Sequence, residues 1–531
     1  VPERRALPCP PPLLPLGMAT FAAAVAGFVL TLAFPALGWW PMAFLAVPLA
    51  LICLIGRGGW GAVLVGFVFG MVFFLVNVSF TARYLGPVPW LALSMLEALL
   101  TAALAPPLAW AYRWLPRLAP GAVGRLVLLP ALVAGLWTMR EEVLGTFPYG
   151  GFPWGRVGVT QVDGPAAQVA SWGGMNGLTF LVVFVCAAGI EYVRLRRLHD
   201  LRAAVPVVAA AAVLLLLPQF PTTPAGSIRV GAVQGNGPTG YFDQRTPGAV
   251  LDAQLAATAP ILNERMDVLL WPEGGIDSDP LRDDTTAAVL DGLSGRLRAP
   301  LLVSAITERG ADLFNSALLW QAGKANPVAV YDKRHPVPFG EYVPDRAVYR
   351  FFAPDLIDLI QREYTPGVKP PVFDVHGVGV GLAICFDVIY DDVIWDGARG
   401  GAEVYMFQTN NADFRGTDEN LQQLAFARMR AIETGRSVVN ISTVGTSQII
   451  APDGTEIAGL AADRPGALLE DVPVRTGLTP AVTIGPVLSW ILGWGSAVAL
   501  AAVGVLVRSR RRYRADAGDA GPDGTGIVET P

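Results

Sequence analysis

Histidine, lysine and cysteine are scarce in this 531-residue chain: three His, three Lys against 36 Arg, and four Cys. Three His (His199, His335, His376) are too few for a histidine-rich metal site. The four Cys (Cys9, Cys53, Cys186, Cys385) show no CxxC and no paired spacing, so neither a zinc module nor a disulfide scaffold fits. A metal centre is therefore not expected. Charge is sparse as well. Only 16% of residues are charged, where a soluble domain typically carries ~25%, which speaks against an ordinary cytosolic enzyme.

What is present divides unevenly. Residues 1–222 hold 13 Arg, no Lys and 7 acids, a net of +6. Residues 223–480 hold 21 basic and 33 acidic residues, a net of −12. The remainder, 481–531, holds 5 Arg and 4 acids. The first part reads as membrane and the second as a water-soluble domain, whose acidity argues against nucleic acid as a partner.

A helix needs ~20 apolar residues to cross the hydrocarbon core. Residues 6–56 contain no charge, and Pro35, Gly38 and Pro41 divide that run into spans near 13–34 and 39–56. Further spans are expected at 60–79, 90–112, 124–140, 176–193, 203–219 and 482–507, giving eight. The fifth is the weakest, because its uncharged stretch is short and contains Pro130. The first span is too long for a signal-peptide core and more spans follow at once. Orientation follows the basic residues. With the N-terminus inside, 15 Arg lie in inner segments and three outside (Arg83, Arg140, Arg156). Both termini are then cytoplasmic, and 223–480 faces the outer side of the cytoplasmic membrane. Glu97 falls within the fourth span: either a functional intramembrane acid or a carboxylate paired with a neighbouring helix or set at headgroup level.

From Ser227 onward the texture changes. The runs 228–234, 268–271, 300–306, 317–321, 327–332, 378–384, 404–409 and 437–442 read as strands, with helix-like stretches at 248–265, 281–297 and 418–434 between several of them. Asp453-Gly454 marks a hairpin turn. Interleaved strands and helices predict a layered α/β domain.

Cys385 ends the apolar run GVGVGLAIC at the edge of a predicted strand and is the only Cys of the exported domain. By position alone it is equally a nucleophile or a small buried hydrophobe. A nucleophilic thiol needs a group that favours thiolate. His376 lies nine residues earlier, roughly 30 Å away along an extended strand, which leaves His335 open. A second set is Glu273, at the end of VLLWPE, with Lys333 and Glu341 in YDKRHPVPFGEYVP. A partly desolvated carboxylate can accept a thiol proton, and a fixed ammonium can stabilise an oxyanion.

WPE, then YDKRHPVPFGEYVP, then a strand ending in Cys together resemble the Glu–Lys–Cys pattern of the nitrilase superfamily. The longer match is to its membrane branch, the apolipoprotein N-acyltransferases: FPYGGFPWG (147–155), QVDGP (161–165), AVQGN (232–236), ARMRAIETGR (427–436) and TGLTPAV (476–482) resemble that family as well. The resemblance implies a polytopic α-helical membrane domain of about eight spans with an exported nitrilase-like αββα sandwich. Its divisions would be 1–222 membrane, 223–480 catalytic, 481–508 final span and 509–531 a disordered cytoplasmic tail. It implies Cys385 as nucleophile, Glu273 as general base, Lys333 as stabiliser of oxyanion and thiolate, and Glu341 as supporting acid. It also implies a phospholipid acyl donor (phosphatidylethanolamine), a diacylated apolipoprotein acceptor, a thioester intermediate, no metal or organic cofactor, and a monomer embedded in membrane lipid. Tyr241, Phe242, Phe386, Asp387, Phe414 and Trp154 are the substrate-contact candidates, although each aromatic fits a core position equally well. The chain departs from the family where Phe386-Asp387 follows the nucleophile in place of Tyr-Glu, at TNNADFRG (409–416), and at Gln423, a position often His. Two other readings are a membrane-anchored amidase that transfers the acyl group to water, and a non-catalytic membrane scaffold.

Overall fold

The computed structural model describes residues 11–195 and 200–519. Cys9, His199 and the inner-segment residues Arg4, Arg5, Arg196 and Arg197 lie outside the described residues.

A helix stands at each of the eight expected positions. Four are long and apolar enough to cross a membrane: Gly59–Asn77, Pro87–Leu118, Ala167–Arg194 and Pro480–Arg510. Leu16–Thr31, Trp40–Leu54 and Leu201–Leu216 are apolar but shorter. The fifth position forms a π turn, Gly124–Leu128, running into the helix Leu129–Leu144. That helix departs from a plain span because it ends in charge: Arg140, expected in an outer loop, is buried in it beside Glu141 and stacks over the Trp137 ring. Small residues draw the two central helices together: a Cβ at Gly66 would come within 2.5 Å of the Ala105 Cβ, and one at Gly70 within 3.0 Å of the Ala98 Cα. Close backbone approach of this kind supplies the van der Waals contact that holds helices together in lipid. The final helix continues to Asp519, so the tail expected from 509 is helical over its first part.

The soluble half contains twelve strands: β1 (Thr223–Gln234), β2 (Val268–Leu270), β3 (Leu301–Arg309), β4 (Asp312–Trp320), β5 (Ala329–Asp332), β6 (Val372–Val375), β7 (Val378–Ile384), β8 (Val404–Thr409), β9 (Val438–Ser442), β10 (Ser447–Ile450), β11 (Glu456–Leu460) and β12 (Gly466–Thr476). They form two six-stranded sheets, ordered β12-β1-β2-β3-β4-β5 and β11-β10-β9-β8-β7-β6. In each, a parallel trio (β1-β2-β3 and β7-β8-β9) is flanked by antiparallel strands.

Period-two alternation makes the sandwich. Val404 and Met406 of β8 face inward with Val230, Leu270, Leu382 and Ile384, closing the core between the sheets. Tyr405 and Phe407 face the other way, onto Ile394 and Phe426 of the helices Asp391–Arg399 and Glu419–Thr434. Leu290 and Leu293 cover Leu269 and Trp271 on the outer face of the first sheet. This is the αββα layering that the resemblance implies. The helix layer on the second sheet shares one continuous apolar core with the membrane bundle, reaching Trp154, Val157 and Val159. The pairing of Thr223 with Thr476 brings the chain's entry into the sandwich beside its exit toward the last membrane helix.

Candidate active site

Glu273, Lys333 and Cys385 each follow the C-terminal end of a strand: β2, β5 and β7 respectively. The backbone fixes Lys333 on both sides, its N–H donating to Asn315 O (2.8 Å) and its carbonyl accepting from Gly367 N (2.8 Å). Lys333 Nζ donates to Glu273 Oε1 at 3.1 Å and lies 3.0 and 2.9 Å from the two oxygens of Glu341. Asn315 Nδ2 bridges the same carboxylates, at 2.7 Å to Glu273 and 3.1 Å to Glu341. Val337 N donates to the other Glu341 oxygen at 2.7 Å. Lys333, Glu273 and Glu341 are all buried.

Cys385 has φ +47°, a left-handed conformation that costs a non-glycine residue roughly 1–3 kcal/mol. It opens the tight 3-10 turn Cys385–Ile389, which carries the chain sharply off β7. Asp387 in that turn is fully buried and clamps it: its carboxylate accepts from Ile384 N (3.3 Å), His335 N (2.8 Å), Arg334 N (3.4 Å) and Tyr331 Oη (2.8 Å). One acid thereby ties the turn after Cys385 to the loop after Lys333. Gln423 Nε2 donates to Cys385 Sγ at 3.3 Å. Gln423 Oε1 in turn accepts from Asn411 Nδ2 (2.9 Å), which also donates to Glu419 Oε2 (2.7 Å).

The charges act on one another. Burial, with the negative charge of Glu273 beside it, pushes the Cys385 thiol well above its ordinary range, and Lys333 opposes that. Burial also raises the Glu273 carboxyl, against the pull of Lys333. Burial disfavours the Lys333 ammonium, but Glu273 and Glu341 more than offset this and hold it well above its ordinary value. The resting pattern is a charged lysine between two carboxyls beside a protonated thiol.

Cys385, Glu273, Lys333 and Glu341 open on one cavity of about 610 Å³. Its far wall belongs to the membrane half: Phe80, Tyr84, Leu93 and Leu96, with Phe152 and Trp154 from the 145–169 loop. Glu97 lines it too, buried, and makes no hydrogen bond or ion pair among the described residues.

Of the expected contact residues, Phe386, Phe414 and Trp154 line this cavity. Tyr241 and Phe242 stand behind its wall, ring to ring with Tyr84 at 6.0 and 5.9 Å. Asp387 does not reach the cavity; it holds the loops together, as above. His335 turns its ring away, stacking on Tyr390 at 3.9 Å with Nε2 3.1 Å from Asp392, so it does not serve as base to the thiol. His376 sits in the turn between β6 and β7, at the opposite end of β7 from Cys385. Asn315 and Glu419 escaped the sequence reading. A polar Asn in the middle of an apolar strand was the available signal for the first. Among the described residues no cluster of three or more His, Cys, Asp or Glu side chains is arranged for a metal ion.

Residues 26–188 match the family model for the apolipoprotein N-acyltransferase N-terminal domain, and residues 229–480 match that for carbon-nitrogen hydrolases. Curated relatives named apolipoprotein N-acyltransferase include one from Mycolicibacterium smegmatis, 32% identical over 89% of this chain and 82% of the relative. Another, from Ralstonia nicotianae, is 31% identical over 94% of this chain and 95% of the relative. Among solved structures, an amidase of the nitrilase superfamily from Nesterenkonia aligns over 47% of this chain and 93% of its own, with 21% identity and a TM-score of 0.37.

Proposed function

Because the chain belongs to the apolipoprotein N-acyltransferase family, we propose that it N-acylates lipoproteins by carrying an acyl group from a phospholipid on Cys385. The observation that carries this reading is the shared cavity: the cysteine, lysine and two carboxyls on one side, apolar membrane-helix side chains on the other. Such a cavity suits a lipid ester whose chains remain in the bilayer.

Glu273 takes the Sγ proton as sulfur attacks the ester carbonyl, and the ammonium of Lys333 stabilises the oxyanion as it forms. Collapse expels the lysophospholipid alkoxide, which receives the proton from Glu273 and leaves a thioester. The α-amine of a diacylglyceryl-cysteine then attacks the thioester, giving an amide and restoring the thiol. A covalent intermediate lets two lipid substrates use one site in turn. Glu341 and Asn315 hold Lys333 and Glu273 in register. Phosphatidylethanolamine is the donor in this reading, and the working unit is a monomer.

In this reading 223–480 lies on the outer face of the bacterial cytoplasmic membrane, between seven spans within 1–222 and a last span within 481–508, with both termini in the cytoplasm; the distribution of Arg supports it. The competing reading, an amidase-type hydrolase, would discharge the same thioester with water instead of the amine. Purified protein supplied with phosphatidylethanolamine and a diacylglyceryl-cysteine peptide decides between them. An N-acylated peptide supports acyl transfer. Free fatty acid with the peptide unchanged would establish the hydrolase instead.

A further inference from the structure

The two half-reactions differ by one proton. Thioester formation is neutral overall, since the thiol proton ends on the departing alcohol. Aminolysis is not, because the acceptor arrives as an ammonium ion and leaves as an amide. One of its protons passes through Glu273 to the returning thiol, and a second must go elsewhere.

Among the carboxyls lining the cavity, Glu273 and Glu341 share Lys333, Asp277 and Asp413 accept backbone N–H groups, and Glu97 lies on the membrane helix. Glu419 is different. It is 3% exposed, and its carboxylate is held by an amide, that of Asn411, with no cation beside it. It sits one helical turn before Gln423, whose amide touches Cys385 Sγ, so residues i and i+4 of one helix face present a carboxylate and the nucleophile's partner side by side.

We propose that Glu419 receives the ammonium group of the acceptor and takes its first proton before attack on the thioester. The inference rests on the acyl-transfer reading above and adds a residue for its second half. The steps balance. The arriving ammonium displaces Glu419's own proton to solvent and pairs with the carboxylate, then gives it one proton; the neutral amine forms the C–N bond; Glu273 takes the second N–H proton and delivers it to sulfur as the C–S bond breaks. Glu419 ends protonated as it began, and the net proton lost is the one released on ammonium entry. Burial pushes the Glu419 carboxyl up to about 8, despite the Asn411 hydrogen bond and its place in the first turn of a helix. An α-amine ordinarily titrates at about 7.7–8.0, so the transfer is close to thermoneutral. Glu273 and Cys385 are the titratable groups that face Glu419, with Lys333 and Glu341 beyond them.

The test separates the half-reactions in the full-length protein in detergent. Each variant is loaded from phosphatidylethanolamine, then mixed with a synthetic diacylglyceryl-cysteine peptide, and the acyl mass on the protein is followed with time. In Glu419→Gln the acyl-enzyme should still form, and its discharge at pH 7 should slow at least tenfold. The deficit should shrink as pH rises past 8, where the amine arrives neutral, and Glu419→Asp should recover part of the rate at pH 7. Discharge at the parent's rate at pH 7 would overturn the proposal. So would a deficit of equal size at pH 7 and pH 9, or failure of both variants to load, since either assigns Glu419 a structural role. A parent protein that never gains the acyl mass would instead overturn the thioester reading itself, and this inference with it.

Discussion

Arg156 Nη1 lies 2.7 Å from Asp391 Oδ1, joining the 145–169 loop of the membrane-helix half to the helix that packs on the second sheet. Asp391 also takes Arg430 Nη1 at 2.8 Å, and Arg430 reaches Glu433 at 2.6 Å and the carbonyls of Val388 and Ile389. Trp154 Nε1 adds a bond to Gln422 Oε1, and Tyr390 Oη one to the Gly151 carbonyl at 3.0 Å. The segments FPYGGFPWG and ARMRAIETGR thus meet across a buried, charged junction that fixes the cavity's two walls relative to each other.

Asp391→Ala should destabilise the protein more than Arg156→Ala. The first leaves two buried guanidinium groups without their shared carboxylate, a loss of the kind worth about 3–5 kcal/mol. The second leaves Asp391 still paired with Arg430. Thermal unfolding in detergent, monitored by light scattering, gives the order.

Lys333→Met should reduce acyl-enzyme formation by at least a hundredfold at pH 7, because Glu273 and Glu341 would face one another without the cation between them and Glu273 would be pushed further up. Lys333→Arg should not rescue, since a planar guanidinium cannot occupy the same compact point between two carboxylates. Loading from phosphatidylethanolamine, read by intact mass, measures both.

Gln423→Leu removes the one hydrogen bond that Cys385 Sγ receives among the described residues. Loading should slow about tenfold. Gln423→His restores a ring N–H and should recover most of the rate. Equal rates for Leu and Gln would show the contact to be idle.

Stability should depend on pH through Glu419. Its folded-state value is raised to about 8 from an ordinary 4.5, so between those limits the folded protein retains a proton that the unfolded chain has released. Stability therefore falls as pH rises through that window, by about 1.4 kcal/mol for each pH unit in it, and is fully present below pH 4.5. Relative to the parent, Glu419→Gln should leave the melting temperature unchanged near pH 4.5 and raise it at pH 8 and above.

The strands that carry the chemistry were legible because each is a short apolar run ending in a distinctive residue. The runs at 268–271, 327–332 and 378–384 stand within two residues of β2, β5 and β7. The edge strands β6 and β12 were not: Val372–Val375 is four residues long and β12 carries the half-exposed mixed pattern GALLEDVPVRT, while β10 and β11 were marked only by the Asp453-Gly454 hairpin turn between them. The contact role expected of Asp387 failed for a related reason. A carboxylate next to a nucleophile in sequence can point into the cavity or back under the turn, and only the left-handed bend at Cys385 decides which. Gln423 was visible as a departure, but its contact with sulfur depends on how a helix 38 residues downstream packs on the sheet.

The central claim is that Cys385 becomes acylated. Incubating the purified protein with phosphatidylethanolamine of a single defined acyl composition, without acceptor, and measuring its intact mass tests this directly. The account predicts a gain of one acyl chain in the parent, removed by hydroxylamine at neutral pH and absent from Cys385→Ala. A parent of unchanged mass that nonetheless N-acylates the peptide, or a Cys385→Ala variant that gains the same mass, would contradict it.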